Sequence, residues 1–237
     1  MIKVENIDTW GFEHAIRGMR NPMNSWDKSD SYMCDYKHCD SCKHQESGCW
    51  KNLDGIVIGK NDADLMHRLY KAGTEHRKYL RQIFVSMDIT APLYWWKEFD
   101  TYKIGTTSNS CSTMHKIHSK EFTLDDFSHE HLFGNEDEYD VDEPIGVLNI
   151  VIDTLNHWRE TYLEEKDKEQ WWQLIQLLPS SYNQKRTITM NYENVINIFN
   201  QRCFHKLDEW REFCDILSKL PHLDAITKQD DKLAYTE

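Results

Sequence analysis

The sequence lacks any apolar run of the roughly 20 residues that a membrane-spanning helix needs. Its opening residues, MIKVENIDTWGFEH, also lack the basic and apolar regions of a signal peptide. From these two absences we expect a cytoplasmic protein that has no membrane partner.

Positive charge is also scarce in this chain. Its 237 residues include 28 Lys and Arg against 40 Asp and Glu, which gives a formal net charge of −12. A protein that binds duplex nucleic acid must neutralise phosphates with a basic surface, so this charge balance argues against such a partner. A local basic pocket is still compatible with the net charge.

Apolar and aromatic residues, by contrast, are plentiful. Hydrophobic side chains make up 39% of the chain, which includes nine Trp, eleven Tyr and nine Phe, so it can bury a sizeable core. Internal repeats are absent. We therefore predict a single domain over residues 1–237, with a Cys-rich insertion at about 21–55 and an acidic surface loop at about 120–143.

Hydrophobic periodicity predicts the elements of this domain. Alternating apolar residues predict a strand over 1–10, after which a glycine turn opens a short helix that ends near residue 20. The other predicted elements are a helix over 62–73, a strand over 81–90, a helix over 93–102, and a largely helical part over 144–221 that contains a short strand at 185–191.

Four of the seven cysteines fall in one polar segment, with the spacing C-x4-C-x2-C-x6-C. They are Cys34, Cys39, Cys42 and Cys49. Such a segment cannot form a core of its own, and thiolates at this density suit tetrahedral zinc, which would organise it. We predict a structural zinc site, with reduced thiols, an iron–sulfur cluster and disulfides as the alternatives.

Three segments carry a family resemblance. Residues 3–20 are predicted to form a strand, a glycine turn and a helix. Residues 65–116 are predicted to form a helix, a glycine turn, a strand and a second helix, which leads into TSNSCSTMH. Residues 178–221 contain Leu-Pro, then a strand that ends in Asn, and then a helix that carries an Arg. In this order they resemble the flavin-dependent thymidylate synthase family, whose signature is R-H-R-x-x-S-x-N-E-x-S-x-R-Y. The resemblance implies an α/β (α+β) fold in which helices flank a mixed sheet, with a long helical C-terminal part. It also implies a homotetramer with shared nucleotide sites.

The resemblance assigns candidate site residues as well. Asn109 matches the signature Asn and Ser112 the signature Ser, and short donors there approach the phosphate and sugar of a nucleotide closely. The implied nucleotide-binding residues are Ser108, Ser112 and Arg202. The implied cofactor-binding residues, for FAD, are His76, Lys97, Lys103 and Asn109, although an exposed turn histidine is the plainer interpretation of His76.

The sequence departs from the family at its cations. Tyr102–Ile104 stand where the family has R-H-R, and Met114 stands at the Arg. The family activates the uracil of dUMP with arginines, so reductive methylation to dTMP is expected to be impaired. A flavin-dependent methyltransferase, a non-catalytic protein that binds or sequesters a nucleotide, and a purely structural oligomer therefore remain open. The isolated insertion and the altered signature would suit a viral protein.

Overall fold

The computed structural model describes residues 2–34, 55–136 and 139–227. The strands are β1 (Lys3–Trp10), β2 (Tyr32–Met33), β3 (Ile56–Val57), β4 (Phe84–Pro92), β5 (Thr106–Ser110) and β6 (Asn183–Asn191). The helices are α1 (Phe12–Arg20), α2 (Lys60–Lys71), α3 (Leu93–Phe99), α4 (Pro144–Glu165), α5 (Lys168–Leu177), α6 (Tyr192–Arg202), α7 (Asp208–Ser218) and α8 (Leu223–Thr227). The predicted α+β class is confirmed.

The main sheet has the strand order β1-β4-β6-β5, so β4 and β6 are its inner strands. Alternate residues of β4 are completely buried, including Val85, Ile89 and Ala91, as the two-residue period of a strand predicts. A second, two-stranded sheet pairs β2 with β3 antiparallel, with Tyr32 opposite Val57. The inner strand β4 is thus apolar on its buried face, whereas Ile188 and Met190 are the apolar residues of β6.

The chain divides into two compact units, and the division falls inside all four strands of the main sheet. Unit 1 comprises residues 1–5, 88–101 and 108–187, and unit 2 comprises residues 6–87, 102–107 and 188–237. The single domain expected from the sequence stays a prediction. Within the described residues, no helix is both long and apolar enough to cross a membrane.

Unit 1 has its core where α4 packs against α5. The buried cluster consists of Ile117, Phe122, Phe127, Leu148, Ile152, Leu155 and Leu174. Two of these residues belong to the acidic loop, and the Asn156 side chain bonds the backbone N–H and carbonyl of Phe122 at 2.8 and 2.9 Å. Phe127 also forms an isolated antiparallel bridge with Tyr182. Aromatic anchors therefore hold the described part of this acidic segment to the unit.

In unit 2, a glycine turn follows β1 and leaves no room for a side chain at Gly11. Gly11 has a φ of 96°, in the left-handed region, and a Cβ added there would lie 2.1 Å from the carbonyl oxygen of Gln82. The close approach lets α1 pack on the 3₁₀ turn Arg77–Gln82, with Phe12 buried edge-on against Tyr192 at 5.4 Å between ring centres. The backbone contact therefore sets the direction in which α1 leaves β1.

A buried ion pair joins α1 to α2 in the same unit. Nε of Arg20 donates to Oδ1 of Asp62 at 2.6 Å, and the two side chains are 4% and 0% exposed. The other carboxylate oxygen accepts from the Ser29 and Ser31 hydroxyls, both at 2.7 Å, and from the backbone N–H groups of Asp30 and Ser31. One carboxylate thus fixes the chain just before β2.

The hydrogen bonds of this carboxylate also decide its protonation. Burial raises the pKa of Asp62, but the hydrogen bonds from Ser31 and Ser29 and the guanidinium of Arg20 outweigh burial, and the pKa lies below its ordinary value. Asp62 is therefore ionised at neutral pH, when its charge compensates that of Arg20.

Candidate functional site

The end of α6 holds a cation between aromatic side chains. The guanidinium carbon of Arg202 lies 4.8 Å from the centre of the Trp210 indole and 5.7 Å from the centre of the Tyr102 ring. Its Nε donates to the Tyr102 hydroxyl at 2.9 Å, and that hydroxyl donates to Oε1 of Gln201 at 2.9 Å. Stacking and hydrogen bonding together hold the planar cation in one orientation.

The turn before β5 is fastened to the start of α6. The Asn194 side-chain amide donates to the carbonyl of Ile104 at 2.6 Å and to Oγ1 of Thr106 at 2.9 Å. Asn191 caps α6 by accepting from the Asn194 backbone N–H at 3.0 Å, and a Cβ at Gly105 would lie 2.4 Å from its amide nitrogen. Two asparagines thereby fix the backbone of the turn.

The small polar side chains of β5 lie at an edge of the main sheet. Ser108 and Asn109 are exposed on this outermost strand, and no side-chain hydrogen bond joins either of them to a described residue. Ser112 has a different role, because its Oγ accepts from the backbone N–H groups of Met114 and His115 at 3.2 and 2.8 Å. The Ser112 hydroxyl thus closes a turn, whereas the Ser108 and Asn109 side chains are exposed to solvent.

The three other predicted cofactor residues are exposed. Lys97 is in the last turn of α3 in unit 1, whereas Lys103 and His76 belong to unit 2. Neither lysine forms an ion pair with a residue in the part of the chain that the structure describes. Lys103 directly follows Tyr102, whose hydroxyl accepts a hydrogen bond from Nε of Arg202. The roles of all three residues stay predictions.

Sequence reasoning missed a second stacked arginine, in unit 1. The guanidinium carbon of Arg186 lies 4.2 Å from the centre of the Trp96 ring, and its Nη1 donates to Oδ1 of Asp100 at 2.7 Å. Its Nε donates to Gln184 at 2.9 Å. Because the side chain is only 13% exposed and is bonded to a carboxylate, Arg186 is a structural cation and does not replace a missing R-H-R arginine.

Most of the predicted zinc ligands lie outside the residues that the structure describes. Cys39, Cys42 and Cys49 lie outside the described residues, and Cys34, the fourth predicted ligand, is a half-buried free thiol. Over residues 2–34, 55–136 and 139–227, no group of three or more His, Cys, Asp or Glu side chains is arranged to hold a metal ion. The zinc site therefore stays a prediction.

The thiols near Arg202 are not activated. Burial raises the pKa of Cys214 to about 12 and also raises the pKa of Cys203. Because the thiolate is the nucleophilic form, neither side chain suits covalent catalysis. What unit 2 offers a ligand at this place is a planar cation held in one orientation, and the residue after its tyrosine partner is the exposed Lys103; such cations suit an anionic group.

Comparison with known proteins places the fold. No family model matches the chain, and no curated protein matches it. A crystal structure of thymidylate synthase X from Helicobacter pylori with FAD and dUMP is similar over 97% of this chain and 98% of that one, with a TM-score of 0.64 and 16% identity. A second structure of the flavin-dependent enzyme from the same organism, also with FAD and dUMP, covers 95% and 99% at a TM-score of 0.61 and 15% identity. At these identities the similarity shows the fold.

Proposed function

We propose that this chain binds a nucleotide-type ligand, dUMP, FAD or both, as a divergent relative of the flavin-dependent thymidylate synthases. The observation that carries the proposal is the fold similarity, over 97% of the chain, to an enzyme whose crystal structure holds FAD and dUMP. In this fold the TSNSCSTMH stretch forms an exposed edge strand and the turn after it.

The nucleotide contacts of the proposal are Arg202, Ser108 and Ser112. A planar guanidinium held on Trp210 is suited to bidentate recognition of a phosphate, because little side-chain freedom remains to be lost on binding. Short hydroxyl side chains on an edge strand allow a ligand to come close to the backbone.

The proposed FAD contacts are His76, Lys97, Lys103 and Asn109. The donor set fits the group, because the two exposed lysines have no carboxylate partner among the described residues and such cations can bind a pyrophosphate. A bound reduced flavin would supply the hydride for reductive methylation. The protein residues would bind and orient it.

The proposal includes two alternatives for turnover. Reductive methylation of dUMP to dTMP needs positive charge at the uracil ring, and Tyr102–Ile104 stand where the family has R-H-R. Because Tyr102 instead bonds Arg202, the non-catalytic alternative, in which the protein binds or sequesters a nucleotide, has a structural observation in its favour.

Arg202→Gln tests the nucleotide site. The wild-type protein is expected to bind dUMP saturably in calorimetry, and the variant to bind it at least about tenfold more weakly, because a charged hydrogen-bonding partner of the phosphate is lost. Arg81→Gln removes the same charge from a surface ion pair with Glu193 and should leave the affinity unchanged. Equal affinities of wild type and Arg202→Gln would refute the role of this arginine.

The flavin spectrum decides between the two alternatives. FAD that is retained through purification, or that titrates tightly, predicts NADPH oxidation and dUMP methylation and favours the enzyme. No flavin band after saturation with FAD, together with calorimetric binding of dUMP, would leave the non-catalytic binder. Absence of both ligands would exclude the proposed function.

Two exposed apolar side chains of unit 2 support the predicted oligomer. Ile104 and Phe204 are 91% and 83% exposed, and a contact between copies of the chain would remove this apolar surface from water. We expect Phe204→Asp to shift a tetramer to smaller species in sedimentation velocity at micromolar concentration. Phe133→Asp, in unit 1, introduces the same charge at an equally exposed Phe and shows whether the shift is specific to Phe204. An unchanged distribution for Phe204→Asp would count against this contact.

A further inference from the structure

A cluster of basic side chains lies in unit 1 where the last turns of α4 meet the 3₁₀ turn Ile117–Ser119. Its members are Lys116, His118, Arg159 and Lys166, with Tyr162 between them. None of these residues belongs to the proposed nucleotide or FAD contacts. We call these five residues the His118 cluster.

The cluster is built around two rings. The His118 imidazole packs edge-on against the Tyr162 phenol, with 4.9 Å between the ring centres. Nζ of Lys166 lies 5.6 Å from the centre of the Tyr162 ring, and Nε of Arg159 donates to the carbonyl of His118 at 3.1 Å. These contacts place Lys166 and Arg159 beside the His118–Tyr162 pair, and Lys116 is two residues before His118 in the chain.

The positive charge of the cluster is not neutralised. In the part of the chain that the structure describes, no ion pair joins Lys116, Arg159 or Lys166 to a carboxylate, whereas Lys120 and Lys185 of the same unit are paired with Asp126 and Asp88. Although the chain has carboxylates in excess, with a net charge of −12, none of them forms an ion pair with these three cations among the described residues.

The protonation of His118 reflects the same surroundings. Its Nδ1 is buried and has no hydrogen-bond partner among the described residues. Burial lowers the pKa of His118, and the positive charges of Lys166, Lys116 and Arg159 lower it further. No carboxylate among the described residues acts on this imidazole to offset them.

The dipole of α4 does not account for the cluster. A helix C-terminus favours cations within its last turn, and Lys166, the residue after α4, fits that rule. Arg159, however, lies more than one turn before the end of α4, and its Nε bonds a carbonyl in the 3₁₀ turn. Lys116 belongs to a different segment altogether.

We propose that the His118 cluster binds a phosphate group, with Lys116, Arg159 and Lys166 as its cations and the His118 imidazole as a further donor. The three cations together outweigh the two negative charges of a phosphate dianion, and the arginine can bond two of its oxygens. The group can be free inorganic phosphate or the terminal phosphate of a small monoester. This site is independent of the proposed nucleotide function.

The test is an NMR titration of the histidine Cε1–Hε1 signals, with inorganic phosphate in one arm and glycerol 3-phosphate in the other. The His118 signal, assigned by its loss in His118→Asn, should shift saturably with a dissociation constant of about 1 mM or below. The pKa of His118 should also rise on binding, because a bound anion stabilises the imidazolium. Tighter binding in the second arm would identify the monoester as the ligand, and equal binding the phosphate group alone.

Two charge variants make the test specific. Lys166→Gln should weaken the binding at least about tenfold. Lys168→Gln is the matched control, because Nζ of Lys168 also lies over an aromatic ring, that of Trp172 at 5.9 Å, outside the cluster. The proposal is overturned if neither ligand shifts His118 saturably, if both variants weaken binding equally, or if Arg202→Gln abolishes the shift.

Discussion

Replacement of Asp62 by Ala is expected to lower the free energy of unfolding by about 3–5 kcal/mol, because it leaves the buried Arg20 guanidinium without its carboxylate. The hydroxyls of Ser29 and Ser31 lose their acceptor in the same change. Urea unfolding followed by tryptophan fluorescence measures the loss.

A surface ion pair provides the comparison for this prediction. Lys120 pairs with Asp126 in unit 1 and is 71% exposed, so Lys120→Ala should cost less than about 1 kcal/mol. Ser29→Ala, which removes one hydrogen bond to Asp62 and leaves the ion pair, should cost about 1 kcal/mol. Similar losses for all three variants would show that burial of the Arg20–Asp62 pair has no special effect.

The same carboxylate predicts how stability depends on pH. Because the pKa of Asp62 is lower in the folded protein than in the unfolded chain, its contribution is fully present above the unfolded value of about 4 and is lost as the pH falls through the folded pKa. Asp62→Asn removes this titration. Its stability should therefore fall less steeply than that of the wild type below about pH 4. Parallel curves would show that other carboxyl groups control acid unfolding.

Gly11→Ala is expected to destabilise the protein by about 2–5 kcal/mol. The left-handed backbone at a φ of 96° costs an L-residue about 1–2 kcal/mol, and the new Cβ would meet the carbonyl oxygen of Gln82 at 2.1 Å, an overlap that adds about 1–3 kcal/mol. Thermal and urea unfolding both measure this change.

A substitution at Gly73 distinguishes the backbone cost of Gly11→Ala from its steric cost. It also has a left-handed φ, of 106°, but a Cβ added there meets nothing within 4 Å. Gly73→Ala should therefore show only the backbone cost of about 1–2 kcal/mol. If the two substitutions destabilise equally, the contact between Gly11 and Gln82 does not resist a methyl group.

Local patterns predicted the elements well because the relevant signals are local. The strand before Gly11, the helix after it, and the strand that ends in Asn191 all occur within a few residues of their predicted positions. The Arg20–Asp62 pair had no such signal, because 42 residues separate its members and nothing in either neighbourhood specifies the other. The cytoplasmic location and the viral source stay predictions.

The candidate site was predictable only in part. Family resemblance selected Arg202, but not the side chains that orient it, because Tyr102 and Trp210 reach it from two other parts of the chain. The alignment of residues 99–107 with the family signature stays a prediction; in the structure α3 ends at Phe99 and β5 begins at Thr106. The residues aligned with R-H-R form the turn between these elements.

The pairing of β2 with β3 holds the two flanks of the Cys-rich segment close together. The backbone N–H of Cys34 donates to the carbonyl of Gly55 at 2.6 Å, so the chain returns to the place from which it left. When the two ends of a loop are held together in this way, doubling the length of the loop costs only about 0.6 kcal/mol in loop-closure entropy. With its two ends fixed in this way, the length of the Cys-rich segment has only a small effect on the entropy of closing it.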